Sequence, residues 1–159
     1  ECVARLVAFG PPAEPLLRLA AMGGTAPGLA ARLKFSLAET RALRFLQETA
    51  MPSGEIDTAA FRRWRARHAA VPLETQDTAL WLADARDGTA PLRAALRATL
   101  RAEAAPVFPL QGRDLLAAGA SPGPALGALL ARVEAFWIEG GCMADHAACL
   151  AEAKRLMQR

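Results

Sequence analysis

The chain has 159 residues, 53% of them hydrophobic, and a formal net charge of +3. That length suits one sizeable core or two small helical lobes, and a composition rich in Ala, Leu and Arg excludes a substantial sheet. The small net charge excludes a polybasic arm, while the odd set Cys2, Cys142 and Cys149 excludes a disulfide framework and points to a reducing, cytoplasmic setting.

Taken in order, Val3, Leu6 and Val7 predict a first helix that stops at Gly10-Pro11-Pro12. Leu16, Leu19 and Ala20 form a second helical stripe, closed by Gly23-Gly24, and a short helix follows over Leu29 to Leu33. Ser36 and Glu39 have capping-box spacing. The helix they open carries Ala38, Ala42, Phe45, Leu46 and Thr49 on one face and ends at Met51-Pro52-Ser53-Gly54. Asp57 is the expected N-cap of a helix containing Phe61, Trp64 and an arginine cluster.

Val71-Pro72 separates that helix from one running through Leu80 and Trp81 to Gly88. Thr89-Ala90-Pro91 is the expected start of a helix with Leu92, Leu96 and Leu100 spaced four apart. The segment from Ala104 to Pro109 reads as an extended connector, so the chain reads as regions 1–105 and 106–159, or as one continuous domain.

The second region is the most specific stretch. A short helix from Gly112 or Arg113 carries Leu115 and Leu116 and stops at Gly119. Ser121 is the expected N-cap and Pro122 the first residue of the next helix. Leu126, Leu129, Leu130, Val133 and Trp137 then form one apolar stripe. After Glu139-Gly140-Gly141 a last helix presents His146, Leu150, Ala153 and Met157 on one face. The fold class is therefore all-α, a bundle of about nine or ten short helices.

Candidate chemistry is sparse. No glycine-rich phosphate loop is present. Asp84 and Asp87 share a helix face and read as solvated surface. Cys142, His146 and Cys149 follow i, i+4, i+7 spacing; a zinc site needs a fourth ligand, so packing is the better reading, with a metal enzyme as its rival.

Charge is concentrated instead. Between Arg32 and Arg67 lie eight Lys or Arg against four Asp or Glu, a local excess of +4. Within it, Phe61 and Trp64 can face a core while Arg62 and Arg65 flank one side and Arg63 and Arg67 the other. Those arginines either fork onto phosphate oxygens or cover apolar surface with their stems. The turn from Gly112 to Gly123 has the same two readings, a phosphate site at exposed helix N–H groups beside Arg113 or a tight hairpin whose glycines serve packing.

The run from Pro109 to Gly119 (Pro-Leu-Gln-Gly-Arg-Asp-Leu-Leu-Ala-Ala-Gly), with Gly123 to Gly127 and Leu129 to Ile138, resembles the C-terminal part of the bacterial CCA-adding tRNA nucleotidyltransferase and poly(A) polymerase family. Leu16 to Ala20 and Leu29 to Glu39 are similar to that family's central helical region. The resemblance implies neck, body and tail helices that hold tRNA or another RNA. An N-terminal catalytic head would hold Mg²⁺ and CTP or ATP.

The chain carries no paired-aspartate metal motif of such a head, so it is expected to be part of a longer chain and inactive alone, with no cofactor of its own. The residues expected to contact RNA are Arg62, Arg63, Arg65, Arg67, Gly112, Arg113, Gly119 and Gly123, with Asp114 matching the same pattern. The alternative is a helical protein-interaction module without nucleic-acid binding. No apolar run reaches membrane-spanning length and no signal peptide is visible, so no membrane partner is expected.

Overall fold

A computed structural model describes residues 1–23, 26–49, 51, 57–88 and 93–158. They form ten α-helices and no strand, the all-α class the composition predicts. No helix among the described residues is long and apolar enough to cross a membrane.

The chain makes two compact units: residues 1–56 with 70–104, and residues 57–69 with 105–159. The expected division into 1–105 and 106–159 differs from this at one helix, because residues 57–69 belong to the second unit.

Unit 1 contains α1 (Cys2–Phe9), α2 (Pro15–Met22), α3 (Ala26–Leu33), α4 (Leu37–Glu48), α6 (Leu73–Asp87) and α7 (Ala94–Ala102). α6 is its centre, packed against α1, α2, α4 and α7. Gln76, Ala79, Leu80, Leu82, Ala83, Asp84 and Ala85 are all buried on it. A helix surrounded by others buries more than one stripe, so α6 lacks the one-sided pattern of a surface helix.

The Ser36–Glu39 capping box closes as expected. Glu39 N donates to Ser36 Oγ at 3.2 Å, and Ser36 N donates to the Glu39 carboxylate at 2.8 Å. The buried residues of α4 are Leu43 and Leu46; Ala38 of the expected face is exposed. Gly88 ends α6 in the left-handed conformation. The expected helix start at Thr89 to Leu92 lies outside the described residues, as do Gly24 and Pro52 to Gly54; α7 is described from Ala94.

Unit 2 contains α5 (Thr58–Arg67), α8 (Gly112–Ala117), α9 (Pro124–Glu139) and α10 (His146–Met157). α9 packs against α5, α8 and α10. Leu110, Leu115, Val133, Trp137, Cys149 and Ala153 form the core, with Leu126, Leu129, Leu130 and Leu156 packed on it. The predicted α9 stripe is therefore the face that builds this unit. Burying Val133 and Trp137 stabilises it by roughly 2–3 kcal/mol each.

The joint between α8 and α9 is a Schellman stop. Ala120 N donates to Leu115 O and Gly119 N to Leu116 O, both at 3.0 Å, with Gly119 at φ 99°. The next helix begins later than Ser121 and Pro122 suggest. Gly123 is its N-cap at φ 131° and Pro124 occupies the first turn. Two Pro-containing starts lay within reach, and only Gly adopts the backbone that turns the chain into the second.

α9 ends the same way, with Cys142 N bonded to Trp137 O at 2.9 Å and Gly141 N to Ile138 O at 3.0 Å. On α10 the buried residues are Cys149 and Ala153, whereas His146 and Met157 of the expected face are exposed. Asp145 caps that helix through Ala148 N, which points His146 outward at its first position.

Candidate nucleic-acid interface

The basic helix α5 begins at Asp57, whose carboxylate accepts from Ala60 N at 2.5 Å, as the sequence predicts. Phe61 and Trp64 face the core, 1% and 5% exposed, with their rings stacked at 6.1 Å. Arg65 is 2% exposed, its guanidinium 5.9 Å from the Phe61 ring centroid. This corrects its assignment as a phosphate contact. At 100° per residue, i+4 lies only 40° from i, so Arg65 shares the Phe61 face rather than flanking it.

Arg62 and Arg63 are half-buried and Arg67 is exposed. Arg62 reaches the turn between α9 and α10. Arg62 Nη1 lies 2.9 Å from Met143 Sδ, and Cys142 Sγ lies 3.9 Å from Arg62 O. Burial pushes the Cys142 thiol up, while the charges of Arg62, Arg63 and Arg67 pull the other way. All three cations are thus felt at one point.

His68 closes the helix, edge-on to the Trp64 ring at 5.1 Å. Burial, aided by Arg67, holds its pKa below the ordinary imidazole value of 6.5.

Charge separates cleanly between the units. Unit 1 holds ten Lys or Arg and ten Asp or Glu, while unit 2 holds nine against six. The whole net charge of the chain lies in unit 2, and α5 carries it.

The α8 turn is arranged differently from its phosphate-site reading. Asp114 supplies its own anion: the carboxylate accepts from Gln111 N at 2.7 Å. The same side chain lies 4.0 Å from Arg113 Nε and 3.8 Å from His146 Nε2. Arg113 remains 78% exposed and is free to reach a second anion.

Gly112 packs toward Leu126, where an added Cβ would make ordinary contact at 3.7 Å. Gly119 and Gly123 have open space around them and are explained by backbone conformation. The three glycines therefore shape the hairpin, and the polar reach of this segment belongs to Arg113.

Sequence reasoning missed a second polar cluster, in unit 1. Asp84, expected at the surface, is fully buried. Its Oδ1 accepts from Arg93 Nη1 at 2.9 Å and its Oδ2 from Arg97 Nη1 at 2.7 Å, while Arg93 also reaches Asp87. The Arg97 guanidinium lies 3.8 Å over the Trp81 ring. The signal was present in Ala79 to Ala85, where an aspartate stands in an otherwise apolar run and implies buried cations elsewhere.

Cys142, His146 and Cys149 do not assemble a metal centre. Among the described residues no three His, Cys, Asp or Glu side chains are grouped to hold an ion. Cys149 is buried in the core, its thiol pKa raised by burial and by Asp145, while His146 faces solvent.

Fold and charge together define an all-α protein with a neutral helical unit and a smaller one that carries the net positive charge. No protein-family model, curated protein or solved structure matches the chain.

Proposed function

We propose that unit 2 binds the phosphate backbone of RNA through Arg62, Arg63 and Arg67 of α5, with Arg113 as a further contact. The observation that carries this reading is the concentration of the entire positive excess in one unit, on a helix whose apolar side is already used. Guanidinium forks bind phosphate oxygens in pairs and fix register without reading bases.

The resemblance of the run from Pro109 to Gly119, with Gly123 to Gly127 and Leu129 to Ile138, to CCA-adding and poly(A) enzymes names tRNA as the first RNA to test. On that reading the chain positions RNA for template-independent nucleotide addition carried out by an N-terminal head. The Mg²⁺ such a head uses finds no grouped ligands among the described residues here, and no chemical step is assigned to this chain.

The test is a titration of the chain with tRNA at several salt concentrations. Three to four neutralised phosphates give a slope of log K against log salt near about −3. Replacing Arg62, Arg63 and Arg67 together with Gln should flatten it to about −1, while Arg65→Gln is checked for stability rather than affinity. A slope near zero in the unaltered chain, or one untouched by the triple replacement, rejects the proposal.

A further inference from the structure

Unit 1 holds an apolar cavity of about 580 Å³, open to solvent along one side, between α2, α4 and the start of α6. Leu16, Ala42, Phe45, Leu46, Val71 and Pro72 form its walls. This is the face of α4 the sequence marked as apolar; only Leu46 of it is fully used by the core. The volume falls within the roughly 300–1,000 Å³ of sites that hold drug-sized ligands.

The charges around it are one-sided. Glu14, Glu39 and Glu74 line it against a single cation, Arg41. Two of these carboxylates are fixed in place by helix starts: Glu14 accepts from Leu16 N, and Glu39 from Ser36 N and the Ser36 hydroxyl. The Ser36 bonds hold the Glu39 carboxyl below the usual carboxylate range, so it carries its charge at neutral pH. Leu37 and Leu73, outside the cavity lining, are 66% and 47% exposed at the starts of α4 and α6.

We propose that this cavity docks a basic amphipathic helix of a partner protein, its apolar side chains filling the cavity and its Lys or Arg residues meeting the three glutamates. An apolar trough bordered by one sign of charge matches helix-in-groove recognition, with anchors at i, i+3, i+4 and i+7. The glutamates steer a cationic helix in and repel an acidic one. A second copy of this chain does not offer α5 as that helix, because Phe61 and Trp64 are buried within unit 2.

The test uses the full chain and a fluorescein-labelled peptide of about four helical turns, with Leu at anchor spacing and Lys elsewhere. Its counterpart has Glu in place of every Lys. By fluorescence anisotropy at 0.15 M salt, the Lys peptide should bind at least about tenfold tighter than the Glu peptide. Ala42→Trp fills the cavity and should weaken binding about tenfold, the loss expected when one apolar anchor is denied its pocket.

Ala38→Trp, at an exposed position, repeats the test with little risk to folding, and circular dichroism checks both variants. Glu74→Lys should narrow the preference for the Lys peptide, whereas the triple Gln variant of Arg62, Arg63 and Arg67 should leave it unchanged. Equal binding of the two peptides, or binding that survives both Trp variants, overturns the proposal.

Discussion

Replacing Asp84 with Ala should be the most damaging single change in unit 1. The carboxylate is fully buried and sits between Arg93 and Arg97, whose side chains are 2% and 5% exposed. Arg93 keeps Asp87 as a partner, but Arg97 loses its buried carboxylate while its guanidinium stays over Trp81. Removing one member of a buried ion pair costs about 3–5 kcal/mol, because the surviving charge stays desolvated.

Against a domain stability of about 5–15 kcal/mol that is a large fraction. At about 4–8 °C per kcal/mol for a domain of this size, Tm should fall by at least about 12 °C. The transition is followed by circular dichroism on heating and by urea titration.

Arg101→Ala is the control. Arg101 pairs with Asp77 at 2.9 Å but is 57% exposed, and removing it should cost less than about 1 kcal/mol. A double replacement, Asp84→Leu with Arg97→Met, should recover most of the loss, since apolar side chains carry no desolvation cost. The reasoning is refuted if Asp84→Ala and Arg101→Ala prove equally mild.

Three further outcomes follow from the helix ends and from unit 2. Ser36→Ala should lower stability by about 1 kcal/mol through loss of the capping box, while Ser121→Ala should change it by under about 0.5 kcal/mol because Gly123 is the cap; paired urea titrations compare them. Trp137→Ala should destabilise unit 2 by about 3–5 kcal/mol, read from chemical denaturation followed by Trp64 fluorescence in a Trp81→Phe background.

The stability of unit 2 should also fall on acidification. His68 has a folded pKa below 6.5, so between the two values the unfolded chain binds the extra proton. Its contribution is complete above pH 6.5 and is lost as pH drops through the folded value. His68→Gln should reduce the fall in Tm between pH 7.5 and 5.5, and an unchanged slope would reject this role.

What the sequence alone determined is the part governed by neighbours in the chain. The capping box at Ser36, the cap at Asp57, the stop at Gly119 and the Leu126-to-Trp137 stripe depend on residues within a few turns, and each stands in the structure. Ser121 lost to Gly123 because two starts competed within three residues and backbone conformation chose between them.

Tertiary structure alone decided the rest. Whether Asp84 met water or two arginines depended on residues nine and thirteen positions away, brought to it by α7 packing on α6. Assignment of α5 to unit 2 depended on α9, more than fifty residues later. That packing places the net positive charge in one unit, and it buries Arg65 while leaving Arg67 exposed. Periodicity reveals a helix's faces; only its partners determine which face is desolvated, and desolvation decides whether an arginine holds the fold together or remains free to meet phosphate.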